Sequence, residues 1–267
     1  ATAAVAAKFG IPLIGVMGEV DIKRVNQNII KAKHYGAKLK AVPGTLKEAI
    51  TDAIKTWITN PDYYYVCGSA VSSFPFPKIV QFAQSIIGKE IREQCLEQEK
   101  KLPNMIIGCV GGGSNFIGSI HEFLDEPNIK KIGVEAAETA ALTHGTPNIM
   151  QGMKSYMLAS SDGSKSLGGS SLGAGIQYFG VGPQHSYLKD QGAVTYTSAT
   201  DKEILNAYKV VAQTEGISSA LEPMAAAAEV LKQAKGKPKD FIIVLSLCGR
   251  GEKDLDTIEE HMGKDFE

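Results

Sequence analysis

Short unbroken apolar runs alternate along this chain with longer stretches whose apolar residues recur every three or four positions. The first nine residues are alanine-rich and closed by Gly10, the tail of a helix with a glycine stop. Residues 13–17 form an apolar run containing β-branched Ile14 and Val16, which predicts a strand. Behind Asp21, the residues Ile22, Val25, Ile29 and Ile30 share one helical face that runs out at Gly36. Residues 38–42 read as a second strand. Thr45 and Glu48 give the T-x-x-E capping box of a helix directed towards Asn60-Pro61, and residues 63–66 read as a third strand.

The second half repeats this logic. After a proline-rich turn at Phe74-Pro75-Phe76-Pro77, an amphipathic stretch runs from residue 79 to 99. A strand at 105–110 leads directly into Gly111-Gly112-Gly113-Ser114-Asn115, followed by a helix from Phe116 and a strand at 131–134. Residues 201–216 and 220–235 predict two helices, and 241–247 a buried-type strand ending in Cys248-Gly249-Arg250-Gly251. Strands alternating with helices imply right-handed crossovers and a parallel sheet covered by helices, hence an α/β chain. The expected lobes are 1–75 and 76–267. Between 137 and 182 periodicity is lost among Gly, Ser, Thr and Met, a composition that suits the wall of a site.

Composition narrows the function classes. Among 267 residues, 28 Lys and Arg face 29 Asp and Glu for a net charge of −1, which argues against binding nucleic acid or a membrane surface. No apolar run approaches the roughly 18 residues of a membrane span, and no charged-then-apolar leader opens the chain, so a cytoplasmic, reducing setting is expected. Cys67, Cys95, Cys109 and Cys248 form no C-x-x-C pair and suggest neither a zinc site nor a disulfide framework.

The strongest chemical signal is the glycine triplet at a strand-to-helix junction. Glycines let the backbone approach an anion, their N–H groups converge, and Ser114 and Asn115 add donors, so the segment suits a phosphate. A tight turn without a ligand is the alternative. The spacing fits neither G-x-G-x-x-G, which would need Gly at Phe116, nor a P-loop, where Ser119 and Ile120 follow Gly118.

Gly-Gly-Gly-Ser-Asn after an apolar strand resembles the phosphate cup of pyridoxal-phosphate enzymes of the tryptophan synthase β-chain family. Thr45-Leu46-Lys47, Gly68-Ser69-Ala70, Ile132-Gly133-Val134-Glu135, Val181-Gly182-Pro183-Gln184-His185, Ala220-Leu221-Glu222 and Gly249-Arg250-Gly251-Glu252-Lys253-Asp254 follow in the family's order. The resemblance implies a two-lobed, three-layer parallel-sheet fold (fold type II) that joins indole to the β-carbon of L-serine with pyridoxal 5'-phosphate. It implies that Gly111, Gly112, Gly113, Ser114, Asn115 and Ser69 hold the phosphate. Cys248 stands where the family has a serine facing the pyridine nitrogen, or is a small buried cysteine at a strand end. Glu222 matches a family acid near the cofactor ring, with helix capping as the alternative. Carbonyls of Gly111, Tyr178 and Gly180 match a monovalent-cation site. The family pairs as a homodimer and docks an α chain, at which contact Lys47 matches a family lysine.

Departures carry their own expectations. Gln177 stands where a family aspartate pairs with an arginine matched here by Arg24, so closure over the ligand loses a charge-assisted bond. Ser72-Ser73-Phe74 replaces Gly-Pro-His. The family's Schiff-base lysine and carboxylate loop match nothing here, and Lys165 reads as a solvated loop lysine. The resemblance therefore implies an amino-terminally truncated chain, inactive and poorly soluble by itself. Among the histidines, His185 alone has motif support and is expected to make a structural hydrogen bond, while His34, His121 and His261 read as solvated. The rival readings are a related pyridoxal-phosphate lyase or deaminase, and a non-catalytic phosphate-binding or oligomerisation module.

Overall fold

A computed structural model of the chain describes residues 1–24, 26–160, 167 and 169–263; the side chains of residues 23, 24 and 26 are also outside the description. The chain divides into two compact units, Ala1–Val66 and Cys67–Glu267.

In the first unit α1 (Thr2–Phe9) ends at Gly10, and β1 (Ile14–Gly18) pairs in parallel with β2 (Lys38–Val42). The crossover between them is α2 (Glu19–Arg24) and α3 (Asn26–His34), and α4 (Leu46–Thr59) follows. The capping box is formed: the Glu48 carboxylate accepts from the Thr45 N–H and hydroxyl, both at 2.8 Å. The expected third strand is absent. Residues 63–66 pair with no strand among the described residues, and Tyr63, Tyr64 and Val66 are exposed. Their aromatic and β-branched character satisfied the propensity, but a strand needs a ladder partner as well.

The second unit begins with α5 (Phe76–Gln84) and α6 (Ile86–Glu99), where the sequence predicted one continuous stretch. The break is at Ser85, whose hydroxyl donates to the Phe82 carbonyl at 2.8 Å. Then come β3 (Met105–Cys109), α7 (Ser114–Ile120), β4 (Lys130–Ala136) and α8 (Ala141–His144). After them β5 (Thr146–Met150) and β6 (Met153–Met157) form an antiparallel hairpin inside the stretch that showed no periodicity. Its turn puts Gln151 at φ 46° and Gly152 at φ 79°, the two positive angles of a two-residue hairpin turn. The chain continues through α9 (Pro183–Asp190), β7 (Thr195–Ala199), α10 (Asp201–Glu215), α11 (Leu221–Gln233), β8 (Ile243–Ser246) and α12 (Leu255–Met262).

The main sheet is parallel, in the order β7-β4-β3-β8, as expected from the crossovers. All five residues of β3 are buried, and they alternate between two cores. Met105, Ile107 and Cys109 pack with the alanine-rich face of α11, while Ile106 and Val110 pack with Phe116, Ile117 and Ile120 of α7. Helices therefore cover both faces, each buried aliphatic side chain contributing roughly 2 kcal/mol. Starting from β3, the chain steps to β4 and β7 on one side, and β8 returns on the other. The direction of winding reverses between β3 and β8, the place where open parallel sheets bind ligands beyond their carboxyl ends. Among the described residues no helix is long and apolar enough to cross a membrane.

Candidate functional site

The glycine bend sits at that reversal. The last rung beyond β3 is the Val110 N–H donating to the Val134 carbonyl at 2.7 Å, and the chain then turns through Gly111–Gly113 into α7. Three segments press on these Cα atoms. A Cβ on Gly111 would stand 2.5 Å from the Gly175 carbonyl oxygen, one on Gly112 2.5 Å from Ser69 Oγ, and one on Gly113 would overlap the His185 ring. Gly113 also has φ 92°, open only to glycine at low cost. The glycines are thus required by packing of the protein upon itself as well as by any ligand.

Their amides are a separate matter. Phe116 N–H donates to Asn115 Oδ1 at 2.7 Å and Ile117 N–H to the Gly113 carbonyl at 2.9 Å. The amides of residues 111–115 donate to no protein group among the described residues, although Gly113 is buried. Five successive donors at a strand-to-helix bend are what an anion requires. Ser69 lies against Gly112, and its Oγ accepts from the Val71 N–H at 3.1 Å, leaving its hydroxyl proton available.

Asn115 is placed differently from expectation. Its side-chain amide donates to Cys248 Sγ at 3.1 Å and to Cys109 Sγ at 3.5 Å, so only its backbone N–H faces the bend's donor set. The two sulfurs lie 3.5 Å apart, one at the end of β3 and the other just beyond β8. Their mutual hydrogen bond, with Cys109 donating, holds the Cys109 thiol well above its ordinary pKa, and burial adds to this. Accepting that bond lowers Cys248, against burial and the nearby Glu222 charge.

Glu222 stands in the first turn of α11. Its Oε1 accepts from the Gly175 N–H at 2.7 Å, and Lys253 Nζ reaches its two oxygens at 2.8 and 2.9 Å. Lys253 also holds Asp254, whose Oδ2 accepts from the Leu221 N–H at 2.9 Å. Glu222 therefore anchors the segment that touches Gly111 rather than capping its own helix. Gly175, Lys253 and Cys109 escaped the sequence reading of the site, although Lys253 sits inside the motif that ends in Asp254.

His185, in α9, closes the bend from the far side. Its Nε2 lies 2.7 Å from the Gly113 carbonyl, which can only accept, so the proton is on Nε2 and Nδ1 accepts from the Tyr196 hydroxyl at 2.8 Å. The ring is fully buried and stacked on Phe116, and burial lowers its pKa to about 4. Burial, helped by Glu135, raises the Tyr196 hydroxyl well above its usual range. Glu135 itself caps α8 through Leu142 and Thr143, and burial raises it to about 7. His121, expected to be solvated, shares a 2.7 Å hydrogen bond with Gln81.

Tyr178 and Gly180 follow Gly175 on the same segment, and the Gly182 N–H donates to the Gly112 carbonyl at 3.1 Å. Gln177 lies between Gly175 and Tyr178. Arg24 closes α2 in the first unit with its side chain outside the described residues, as is Lys165 entirely. Lys47 is in the first turn of α4. A separate cavity of about 500 Å³ opens beside α5 and α9, lined by Phe74, Pro77, Gln81, Ile117, Gln184 and Tyr187 among others.

Comparison with known proteins adds three findings. Residues 1–249 match the model of the family described as pyridoxal-phosphate dependent enzyme. A tryptophan synthase beta chain of Allorhizobium ampelinum is 45% identical over 275 residues, spanning 98% of this chain and 68% of that protein. Two crystal structures of O-ureido-L-serine synthase, one a ligand-bound mutant, superpose with TM-scores of 0.67 and 0.68 over 97% of this chain and 71% and 72% of theirs. Their identities of 17% and 16% make this a likeness of fold.

Proposed function

Since the chain belongs to the tryptophan synthase β-chain family of pyridoxal-phosphate dependent enzymes, we propose that its bend at Gly111–Asn115 is the phosphate grip of a tryptophan-forming site. The reaction is the condensation of L-serine with indole to L-tryptophan and water. The observation that carries the reading is the run of five amides with no protein acceptor among the described residues, at the sheet's reversal point. Bound there, pyridoxal phosphate supplies an electron sink for bonds to the substrate's α-carbon.

The chain's own groups divide the remaining work. The amides of residues 111–115 and the Ser69 hydroxyl bind the phosphate and fix its position. The Cys248 thiol would serve the pyridine nitrogen of a bound cofactor, where a weak donor and acceptor would leave that nitrogen largely unprotonated. Glu222, locked between Gly175 and Lys253, holds the segment that touches Gly111 in place, and its charge would act on the ring of a bound cofactor. Backbone carbonyls of Gly111, Tyr178 and Gly180 hold a monovalent cation.

The same reading includes assembly. Ile79, Phe82 and Ile86 recur at helical spacing along α5 and into α6, all exposed, with Phe74 and Tyr187 exposed as well. So much apolar surface supports a homodimer contact. Lys47 is assigned to the contact with an α chain, and the enzyme to the cytoplasm. The test is turnover by the full gene product that carries this chain: L-serine and indole yield tryptophan, with little pyruvate from serine alone. Pyruvate release without tryptophan would overturn the reading in favour of a deaminase.

A further inference from the structure

The two cysteines at the sheet's reversal point have no part in a phosphate grip, yet their sulfurs are 3.5 Å apart across 139 positions of sequence. Bridging them needs little movement. Gly108 pairs with Ser246 in the β3-β8 ladder, so Cys248 lies one step beyond the register partner of Cys109. The ladder ends there, and the sulfur contact of 3.5 Å itself needs only small side-chain rotations to reach the roughly 2.05 Å of an S–S bond. Closing the gap displaces the Asn115 amide that lies on both sulfurs. Access is unequal: Cys109 is buried, while Cys248 is partly exposed.

We infer that Cys109 and Cys248 form a peroxide-sensitive dithiol that closes to a disulfide beside the glycine bend. Cys248 is the attacking thiol and Cys109 the resolving one, an order that follows from exposure and agrees with their opposite shifts in acidity. The Cys248 thiolate attacks one oxygen of hydrogen peroxide; the O–O bond breaks, and the departing hydroxide takes a proton to leave as water. The sulfenic acid formed on Cys248 is then attacked by the Cys109 sulfur. The S–O bond breaks, and its oxygen leaves as a second water with the Cys109 proton. The balance is two thiols and one peroxide to one disulfide and two waters. The disulfide removes the S–H groups, so Cys248 can no longer donate to a ring nitrogen. That last consequence alone rests on the function proposed above.

The experiment treats the full chain, free of cofactor, with hydrogen peroxide, blocks remaining thiols with an alkylating agent and maps the peptides by mass. A peptide pair joined through Cys109 and Cys248, lighter by two hydrogens and split by dithiothreitol, is expected, and it persists when Cys67 and Cys95 are both changed to Ser. In Cys109→Ser, Cys248 proceeds instead to the sulfinic acid. Wild-type protein in which both cysteines stay alkylated while Cys67 oxidises, or in which Cys248 reaches the sulfinic acid without a link, overturns the inference. The wild-type result stands whether or not any variant folds. Repeating the wild-type arm with pyridoxal phosphate bound slows linking by about tenfold if the ring covers Cys248. An unchanged rate refutes the effect on the cofactor and the place given to Cys248, while the dithiol stands.

Discussion

His185 Nε2 lies 2.7 Å from the Gly113 carbonyl oxygen, and that contact decides both the tautomer of the imidazole and the shape of the bend. The ring fills the space where a side chain on Gly113 would project, and its other nitrogen is tied to Tyr196. His185→Ala leaves a buried carbonyl and a buried hydroxyl without partners beside a cavity, a loss of about 3 kcal/mol in denaturant melts. It also weakens pyridoxal phosphate binding. His185→Gln keeps a donor within reach of Gly113 and will recover more affinity than His185→Ala; equal affinities would sever the histidine from the bend.

The acidity of His185 gives stability a sign with pH. The folded state holds it at about 4 against an ordinary 6.5, so the unfolded chain binds more protons between those values. Its contribution is therefore lost as pH falls through that window, by on the order of 3 kcal/mol. Glu135 works in reverse. Raised to about 7 from 4.5, it binds more protons folded than unfolded, and its contribution is present below 4.5 and lost as pH rises through 7. Between pH 5 and 7.5 the two oppose each other. Relative to wild type, Glu135→Gln will lose stability on acidification and His185→Gln will gain it, read from urea midpoints at the two pH values.

Each glycine of the bend meets a different neighbour, so the variants will fail for different reasons. Gly111→Ala drives a methyl into the Gly175 backbone, which Glu222 holds in place, and is expected to destabilise by about 1–3 kcal/mol. Gly112→Ala meets the Ser69 hydroxyl; paired with Ser69→Gly it will regain stability, whereas Gly111→Ala is not rescued by that second change. Thermal melts of the single and double variants distinguish them.

Lys253 is the shared cation of two nearly buried carboxylates, Glu222 and Asp254. Lys253→Met strands both and will cost about 3–5 kcal/mol. Adding Glu222→Gln removes one of the stranded charges and restores part of the loss, although the Gly175 contact is then weaker. A double variant no more stable than Lys253→Met would show that the ion pair contributes little.

Much of this arrangement was legible locally. The strands ending at Cys109 and Ser246, the capped helix at Thr45 and the glycine bend all announce themselves through period, caps and turn residues within a dozen positions. What the sequence withheld depends on partners. Residues 63–66 have strand composition but no described strand beside them. The hairpin of β5 and β6 hides because Pro147 and Asn148 interrupt its β-forming pattern, leaving only the Gln151-Gly152 turn as a sign. Likewise, the Asn115 side chain looked like a further phosphate donor because its neighbours do. That its amide turns to two sulfurs could emerge only once β3 and β8 lay side by side.

The central claim is that the amides of residues 111–115 hold a phosphate monoester. Titrating the chain with pyridoxal phosphate and, in parallel, with pyridoxal tests it most directly, because the two differ in the phosphate alone. The account predicts that the phosphorylated form binds about a hundredfold more tightly and that Gly113→Ala removes the difference. Equal affinities for the two forms in the wild-type chain would contradict it.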